Sequence, residues 1–545
     1  MTISRLLKSA TKRAVRAALY AGGLVAAVLV TIVIVFAIQA RVRLPDLHPW
    51  HRIELPAEFR AGHPETPKTF AEYLALEHRL FEELRARVMD DPAVASRDAV
   101  SRYNPNSVPA QLALGGLFNR SYELVPSQVR GAVLLVHGLT DSPYSMRSLA
   151  DLFFARGFYV LVLRLPGHGT IPAGLLRVRW EDWYAAVELA ARHAAERAAG
   201  KPFYAGGYST GAPLLALLAL RGLQDATLPR PQRLFFLSAA IGVSRFAAIA
   251  NIASALSFVP FFEKAKWLDV LPEYDPYKYN SFPVNAANQI YRLTRELHSA
   301  LSAAGEQGRL GAMPRVLAFQ SVIDATVTAA DVVHEFFLRL PGPGHELVAF
   351  DVNRSHGWIG LIAPGPREAF ERIRSAPALP FALAVVANRS SGSREVAIYA
   401  REAGSIETRI EPLTLEWPRG VASLGHVALP FPADDPVYGL QPGIGGPHAW
   451  PIGSLDVRGE PGAIRVPLGM FARLRSNPFF EVVRSKIAAA IDADLERRAR
   501  SRSRARRSLP RGPSSVNVWP YVSGGELVWS IDDTFYVWAR ARLSV

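Results

Sequence analysis

The chain has 545 residues, contains no cysteine, and is hydrophobic at 49% of its positions. The missing cysteines exclude disulfides, cysteine-ligated zinc and thiol nucleophiles. The formal net charge is +14, but residues 1–43 and 497–511 together carry fifteen basic residues and no acid, so the remainder is close to neutral and no nucleic-acid partner is expected.

The first feature in chain order is an uncharged apolar run at 17–40, which follows a short basic segment at 1–16. The run exceeds the ~20 residues that span a bilayer and the ~7–15 of a cleavable signal peptide, so it predicts an uncleaved transmembrane anchor. Five basic residues precede it and two follow it, which predicts a cytoplasmic N-terminus. The remaining chain is then expected on the extracytoplasmic side of the inner (plasma) membrane, which is the periplasm if the source is a Gram-negative bacterium.

Residues 41–130 are interpreted as a linker and an N-terminal extension, with an amphipathic helix expected at Phe70–Val88. From Gly131 onward, short apolar runs alternate with helical patterns, which is typical of an α/β domain with a parallel sheet covered by helices. This domain is predicted to occupy 131–495. Strands are expected near 132–136, 158–163, 203–207, 233–238, 316–321 and 346–351. Helices are expected near 145–155, 180–199 and 210–222.

The stretch Gly207-Tyr208-Ser209-Thr210-Gly211 separates a predicted strand from a predicted helix. A G-x-S-x-G pattern in this context holds a serine on a strained turn at the sheet edge, where flanking glycines avoid side-chain clashes. The following helix directs its N-terminal N–H groups at the same place. Ser209 is therefore the predicted nucleophile, and the alternative is an ordinary glycine-rich loop.

Two further turns follow earlier predicted strands: HGLTDSP begins at His137, and LPGHG ends at Gly169. With GYSTG, these motifs in this order resemble the α/β-hydrolase superfamily, most closely its monoglyceride lipase, carboxylesterase and serine aminopeptidase branch. The resemblance is specific over 130–240 and patchy elsewhere. It implies a mostly parallel sheet flanked by helices, no metal and no cofactor, with His137 and His168 supporting their turns.

The resemblance also implies a cap after the sixth strand of the fold. At 242–303 the regular alternation breaks, and the sequence becomes rich in aromatic residues and proline. An apolar cap would favour acyl chains or other hydrophobic substrates. The alternative is that this segment is additional core.

In this superfamily, two backbone N–H groups hold the oxyanion, and the triad follows the order serine, acid, histidine. The resemblance implies Leu139 and Thr210 as the oxyanion donors. Asp324, after the predicted strand 316–321, is the expected acid, with a turn or helix cap as its alternative role. Asp331 is the second choice because it falls inside a predicted helix.

Two histidines compete for the role of the base. His356 follows the next predicted strand at the spacing that an uninterrupted fold would give. His426 lies in Ser-Leu-Gly-His-Val, which resembles the end of the lipase and esterase pattern, and it would follow an insertion at about 357–420. His426 is the preferred base on this local context, with His356 as its competitor. Strand-like runs within the insertion are Phe381–Ala387, Val396–Ala400 and Thr408–Trp417.

The C-terminal third contains fewer recognisable features. Asp434 and Asp435 are interpreted as a solvated turn rather than a metal site. Leu474–Leu495 is expected to form a closing helix, the Arg-rich segment 496–515 to be disordered, and 516–545 to contain strand-like pieces.

Together these features predict a membrane-anchored serine hydrolase that cleaves carboxylic esters through an acyl-enzyme. Its expected substrate is a small-molecule or lipid ester, and its expected contact with the membrane is the N-terminal helix. The triad does not separate esters from amides, so a peptidase or amidase is one alternative. The other is a catalytically inactive hydrolase fold that serves as a scaffold.

Overall fold

The computed structural model describes residues 13, 15–28, 30–31, 45–91, 94, 99–115, 117–242, 263–324, 326–355, 364–442, 450–455, 466, 468–508, 518–523, 526–531 and 535–536. The described residues from 13 to 31 are helical. Over the described ranges, no helix has both the length and the apolar character needed to cross a membrane. Of the predicted anchor at 17–40, residues 29 and 32–40 lie outside these ranges.

Within the described residues, ten strands form one sheet. The strands of residues 122–416 are β1 Tyr122–Leu124, β2 Gly131–Val136, β3 Phe158–Leu163, β4 Phe203–Tyr208, β5 Arg233–Leu237, β6 Trp267–Asp269, β7 Phe282–Pro283, β8 Arg315–Ser321, β9 Glu346–Phe350, β10 Ala382–Asn388, β11 Glu395–Arg401 and β12 Arg409–Glu416. The sheet order is β1-β3-β2-β4-β5-β8-β9-β10-β11-β12, while β6 and β7 form a separate ribbon. The strands from β3 to β10 in this order are parallel, and β1, β11 and β12 join antiparallel.

The described residues also form helices, several of which cover the sheet. They are α1 Phe70–Leu84, α2 Val108–Gly115, α3 Arg147–Phe154, α4 Trp180–Ala198, α5 Gly211–Gly222, α6 Val284–Glu306, α7 Ala329–Glu335, α8 Pro364–Arg374, α9 Leu468–Phe471 and α10 Phe480–Ser508. Every residue of β2, β3 and β4 is buried, so both faces of these strands are covered, as their nearly continuous apolar sequences require. α4 packs on β2 and β3, and α5 packs on β4.

The expected elements of the sheet are confirmed to within about two residues at each end. All six predicted strands are present as β2, β3, β4, β5, β8 and β9, and the three predicted helices are α3, α4 and α5. The fold is therefore the α/β-hydrolase fold, with a mostly parallel sheet flanked by helices.

The predicted cap and insertion differ in character. Of the cap at 242–303, residues 243–262 lie outside the described ranges, and the described part is the β6–β7 ribbon and α6, which packs against α5 as core. The insertion at 357–420 contains β10, β11 and β12, which extend the main sheet because β10 pairs with the free edge of β9.

One expectation about the C-terminal region was wrong. The Arg-rich segment 496–515 was expected to be disordered, but its described part, 496–508, belongs to α10, and residues 509–515 lie outside the described ranges. Arginine favours helices, and the pairs Arg497–Asp494 and Arg500–Glu496 lie at helical spacing. Residues 488–545 form a separate compact unit, in which β13 Val518–Ser523, β14 Glu526–Ile531 and β15 Phe535–Tyr536 pair antiparallel.

A buried carboxylate lies in the connection between β6 and β7. Glu273 is fully buried and accepts hydrogen bonds from the backbone N–H groups of Asn280 and Ser281. Burial disfavours the charged form more than these bonds favour it, and the pKa of Glu273 is raised to about 7. The folded protein therefore binds this proton more tightly than the unfolded chain does.

Because this pKa is raised on folding, its contribution to stability is complete below the ordinary pKa of glutamate and is lost as the pH rises through 7. We expect Glu273→Gln to remove this dependence. The difference in free energy of unfolding, variant minus wild type, should rise by an amount on the order of 3 kcal/mol between pH 4.5 and pH 8. Urea titrations across this range measure the difference, with exposed Glu407→Gln as the control. A constant difference across this range would contradict the prediction.

Candidate active site

Ser209 lies on the turn between β4 and α5 in a strained backbone conformation, with φ of 50°. Its N–H donates to the carbonyl of Leu237, and the serine is almost fully buried. A Cβ on Gly207 would lie 2.5 Å from the backbone N of Ala212, and one on Gly211 would lie 2.2 Å from a carbonyl oxygen of β2. Only glycine fits at both positions, which explains the spacing of the motif.

The structure brings three of the predicted site residues into one hydrogen-bonded chain. His426 Nε2 lies 2.9 Å from Ser209 Oγ, and His426 Nδ1 lies 2.8 Å from Asp324 Oδ2. Because a carboxylate only accepts, Nδ1 carries the proton, which leaves Nε2 free to accept from the serine hydroxyl. All three residues are buried. This arrangement can remove the serine proton during nucleophilic attack.

Asp324 is held in place by four hydrogen bonds. Its Oδ1 accepts from the backbone N–H groups of Thr326 and Val327, and its Oδ2 accepts from His426 and from Gln320 Nε2, at 3.0 Å. Sequence reasoning did not identify Gln320. Its signal was available, because it is a buried polar residue directly after the apolar run 316–319 of the same strand.

The loop that carries His426 is fixed to the edge of the sheet. The backbone carbonyl of Leu424 accepts from Ser321 Oγ, at 2.8 Å, and that of His426 accepts from Ser238 Oγ, at 3.3 Å. The competitor His356 lies outside the described residues. Asp331 is in the first turn of α7, where its N–H donates to the cap residue Thr328, while the carboxylate of Asp324 contacts the histidine.

The two predicted oxyanion donors line the same cavity as Ser209. Among the residues that the structure describes, neither the N–H of Leu139 nor that of Thr210 has a hydrogen-bond acceptor. The Leu139 loop is held from the other side, because the carbonyl of Thr140 accepts from Tyr279 N, and Lys278 Nζ lies 3.0 Å from Asp141 Oδ1. A developing oxyanion beside Ser209 would find two preorganised donors.

His137 and His168 are buried supports of their turns. Leu165 N–H donates to Nε2 of His137, so Nδ1 of that ring carries the proton and donates to the carbonyl of Gly138. Burial lowers the pKa of His137 well below its ordinary value and that of His168 to about 3. Both rings are therefore neutral at physiological pH.

The cavity above Ser209 has a volume of about 320 Å³. Its apolar lining includes Leu271, Phe282, Ile290, Val327, Val427 and Phe431. The size is at the lower end of the range for small-molecule sites, and the apolar lining suits a short acyl chain or a similar group.

The interpretation of Asp434 and Asp435 as a solvated turn was wrong for Asp435. Asp434 is exposed, but Asp435 is buried and accepts from Tyr144 Oη and from the backbone N–H groups of Val437 and Tyr438. These donors compensate its burial, so the carboxylate fixes the C-terminal segment that completes the cavity wall.

Comparison with known proteins gives one family and several lipolytic enzymes. Residues 127–338 match the family model described as serine aminopeptidase, S33, a range that includes Ser209 and Asp324 and ends before His426. A segment of 56 residues is 48% identical to a thermostable monoacylglycerol lipase of Bacillus sp. (strain H-257). This segment is 10% of the present chain and 22% of the lipase, so the match spans about a fifth of that relative.

Solved structures with a similar fold include other lipases. A chain from a study of LipS and LipT, two metagenome-derived lipolytic enzymes, has a TM-score of 0.32 at 22% identity and covers 47% of this chain and 98% of its own. A monoacylglycerol lipase of Paleococcus ferrophilus has a TM-score of 0.32 at 16% identity, and the match covers 43% of this chain and 89% of the lipase. A soluble variant of the monoglyceride lipase of Saccharomyces cerevisiae has a TM-score of 0.33 at 14% identity, and the match covers 42% of this chain and 82% of the lipase. TM-scores this low carry no argument about activity.

Proposed function

We propose that this chain, a member of the α/β-hydrolase superfamily, is a serine hydrolase that cleaves carboxylic esters, with acyl or lipid esters as substrates. The observation that carries the proposal is the continuous hydrogen-bonded chain from Ser209 through His426 to Asp324 at the base of an apolar cavity. The family match and the similarity to a monoacylglycerol lipase support it.

The proposed reaction follows from the geometry. Ser209 Oγ attacks the ester carbonyl while His426 Nε2 takes its proton, and Asp324 stabilises the imidazolium through Nδ1–H. The N–H groups of Leu139 and Thr210 bind the oxyanion of the tetrahedral intermediate. The intermediate collapses when His426 returns the proton to the leaving alcohol, which leaves an acyl-enzyme. Water, deprotonated by the same histidine, then releases the acid.

Labelling with a fluorophosphonate probe tests the nucleophile and the base together. We expect wild-type protein to be labelled, Ser209→Ala to remain unlabelled, and His426→Ala to label at least 100-fold more slowly because the serine loses its base. His356→Ala is the matched variant and should label at the wild-type rate. Slow labelling of His356→Ala with normal labelling of His426→Ala would reassign the base.

A peptidase or amidase activity is the second candidate, because the matched family is described as a serine aminopeptidase. The esterase and the peptidase proposals are distinguished by comparing kcat/KM for an aminoacyl amide and for an acyl ester of similar size. A preference for the amide would favour the peptidase. Folded wild-type protein that never reacts with the probe would instead favour an inactive scaffold.

We further propose that residues 17–40 anchor the protein in the inner membrane, with a cytoplasmic N-terminus and an extracytoplasmic catalytic domain. The support comes from the sequence: the run is uncharged, and basic residues flank it mainly on the N-terminal side. Retention in membranes after alkaline extraction tests the anchor. Protease digestion of intact spheroplasts tests the orientation, because only an extracytoplasmic domain would be cleaved.

A further inference from the structure

The cavity above Ser209 is not purely apolar. Three basic side chains, Lys278, Arg473 and Arg475, contribute to its lining. Two acids outside the triad, Asp141 and Asp269, also line it, and Asp141 forms the ion pair with Lys278. Asp141 therefore neutralises the lysine, and the charge that a substrate meets elsewhere in the cavity depends on Asp269 and the two arginines.

Arg475 is nine-tenths buried, and its hydrogen bonds are incomplete. Its Nη2 donates to Tyr274 Oη at 3.0 Å, but its Nε–H has no acceptor within the described part of the chain. Its Nη1 forms an ion pair with the buried Asp275 Oδ2 at 3.5 Å, although no hydrogen bond joins these two atoms, and Asp275 Oδ1 accepts from Tyr438 Oη at 2.6 Å. A buried guanidinium with an unsatisfied N–H is costly, and an anion in the cavity would supply the acceptor.

Arg473 lies close to the predicted base. Gly425 is the residue before His426, and the Nε of Arg473 lies 3.8 Å from the position that a Cβ atom on Gly425 would occupy. Arg473 is exposed, and no carboxylate of the described residues lies within ion-pair distance of it. Its charge is therefore available to a group that sits next to the scissile ester.

We infer that the natural substrate carries an anionic group, a phosphate or a carboxylate, beside its ester bond, and that Arg473 and Arg475 bind this group. Guanidinium groups suit both anions because they can donate two parallel N–H bonds to neighbouring oxygens. The apolar lining would hold the acyl chain at the same time. This inference rests on the proposed function and adds the substrate class to it.

Protection against the fluorophosphonate probe tests the inference without knowledge of the true substrate. Octyl phosphate, octanoate and octanol share one alkyl chain and differ in their head group. We expect octyl phosphate or octanoate to protect wild-type protein from labelling at concentrations at least tenfold lower than octanol. Whichever of the two protects better identifies the anion.

The variant Arg473→Ala removes an exposed charge without opening the core. We expect it to lose the preference for the anion about tenfold while its protection by octanol stays unchanged. Arg419→Ala, at an exposed position that does not line the cavity, should behave like wild type. Equal protection by all three compounds in wild type, or an anion preference that survives Arg473→Ala, would overturn the inference. A wild-type protein that is never labelled would refute the proposed function itself.

Discussion

Ser209→Ala and His426→Ala are each expected to lower kcat for ester hydrolysis by about 10⁶-fold, and the double variant is expected to be no slower than either. The reason is that the two groups act as one unit. The serine is a nucleophile only when the histidine takes its proton, and the histidine has no proton to take when the serine is absent. The residual rate should come from the oxyanion donors and from binding.

Initial rates with a soluble acyl ester measure this effect, and circular dichroism establishes that each variant is folded. His78→Ala is the control, because His78 is an exposed histidine whose Nδ1 lies 3.4 Å from Glu82 Oε1 on the protein surface. It should retain the wild-type rate. Losses that multiply in the double variant would mean that the two residues act independently, which the 2.9 Å contact between His426 Nε2 and Ser209 Oγ argues against.

The nucleophile and the central strands could be predicted because their signals are local. The Ser209 turn depends on glycines within two positions, and the buried strands β3 and β4, which precede it, are visible as runs of six mostly apolar residues. The same holds for Asp324, which directly follows a strand of the sheet. In each case the residues that determine the structure are neighbours in the sequence.

The position of the base is a different kind of problem. In the sequence, His426 comes after β10, β11 and β12, which extend the sheet beyond β9. No local sequence pattern predicts that the chain after such an insertion passes next to Ser209. The Ser-Leu-Gly-His-Val context favoured His426, while spacing alone favoured His356. Gln320 was missed although its partner Asp324 is only four residues away, because a single polar residue in a strand does not indicate which acid it contacts.

Burial was the property that the sequence predicted least well for acids. Asp434 and Asp435 are adjacent acids without further ligands nearby in the sequence, which suggested a solvated turn, yet Tyr144 from a distant part of the chain donates a hydrogen bond to Asp435. The Arg-rich run showed the opposite error. Its like charges suggested disorder, but helix propensity and pairs one turn apart continue the helix.

The buried Arg164 provides the prediction with the largest expected effect on stability. It lies directly after β3 with 1% of its surface exposed, between two carboxylates of the N-terminal extension. Its Nε is 2.9 Å from Glu77 Oε2, and its Nη2 is 3.1 Å from Glu58 Oε1. Arg164→Met fills a similar space but leaves both acids without their partner. We expect it to lower the free energy of unfolding at pH 7 by about 3–5 kcal/mol.

Two comparisons separate this explanation from a simple loss of packing. Adding Glu58→Gln and Glu77→Gln to Arg164→Met should recover part of the loss, because the unpaired charges are then absent. Arg389→Met, which breaks an exposed ion pair with Glu395, should cost about 1 kcal/mol or less. A deficit for Arg164→Met that matches this control would mean that the N-terminal extension is held by its apolar contacts alone.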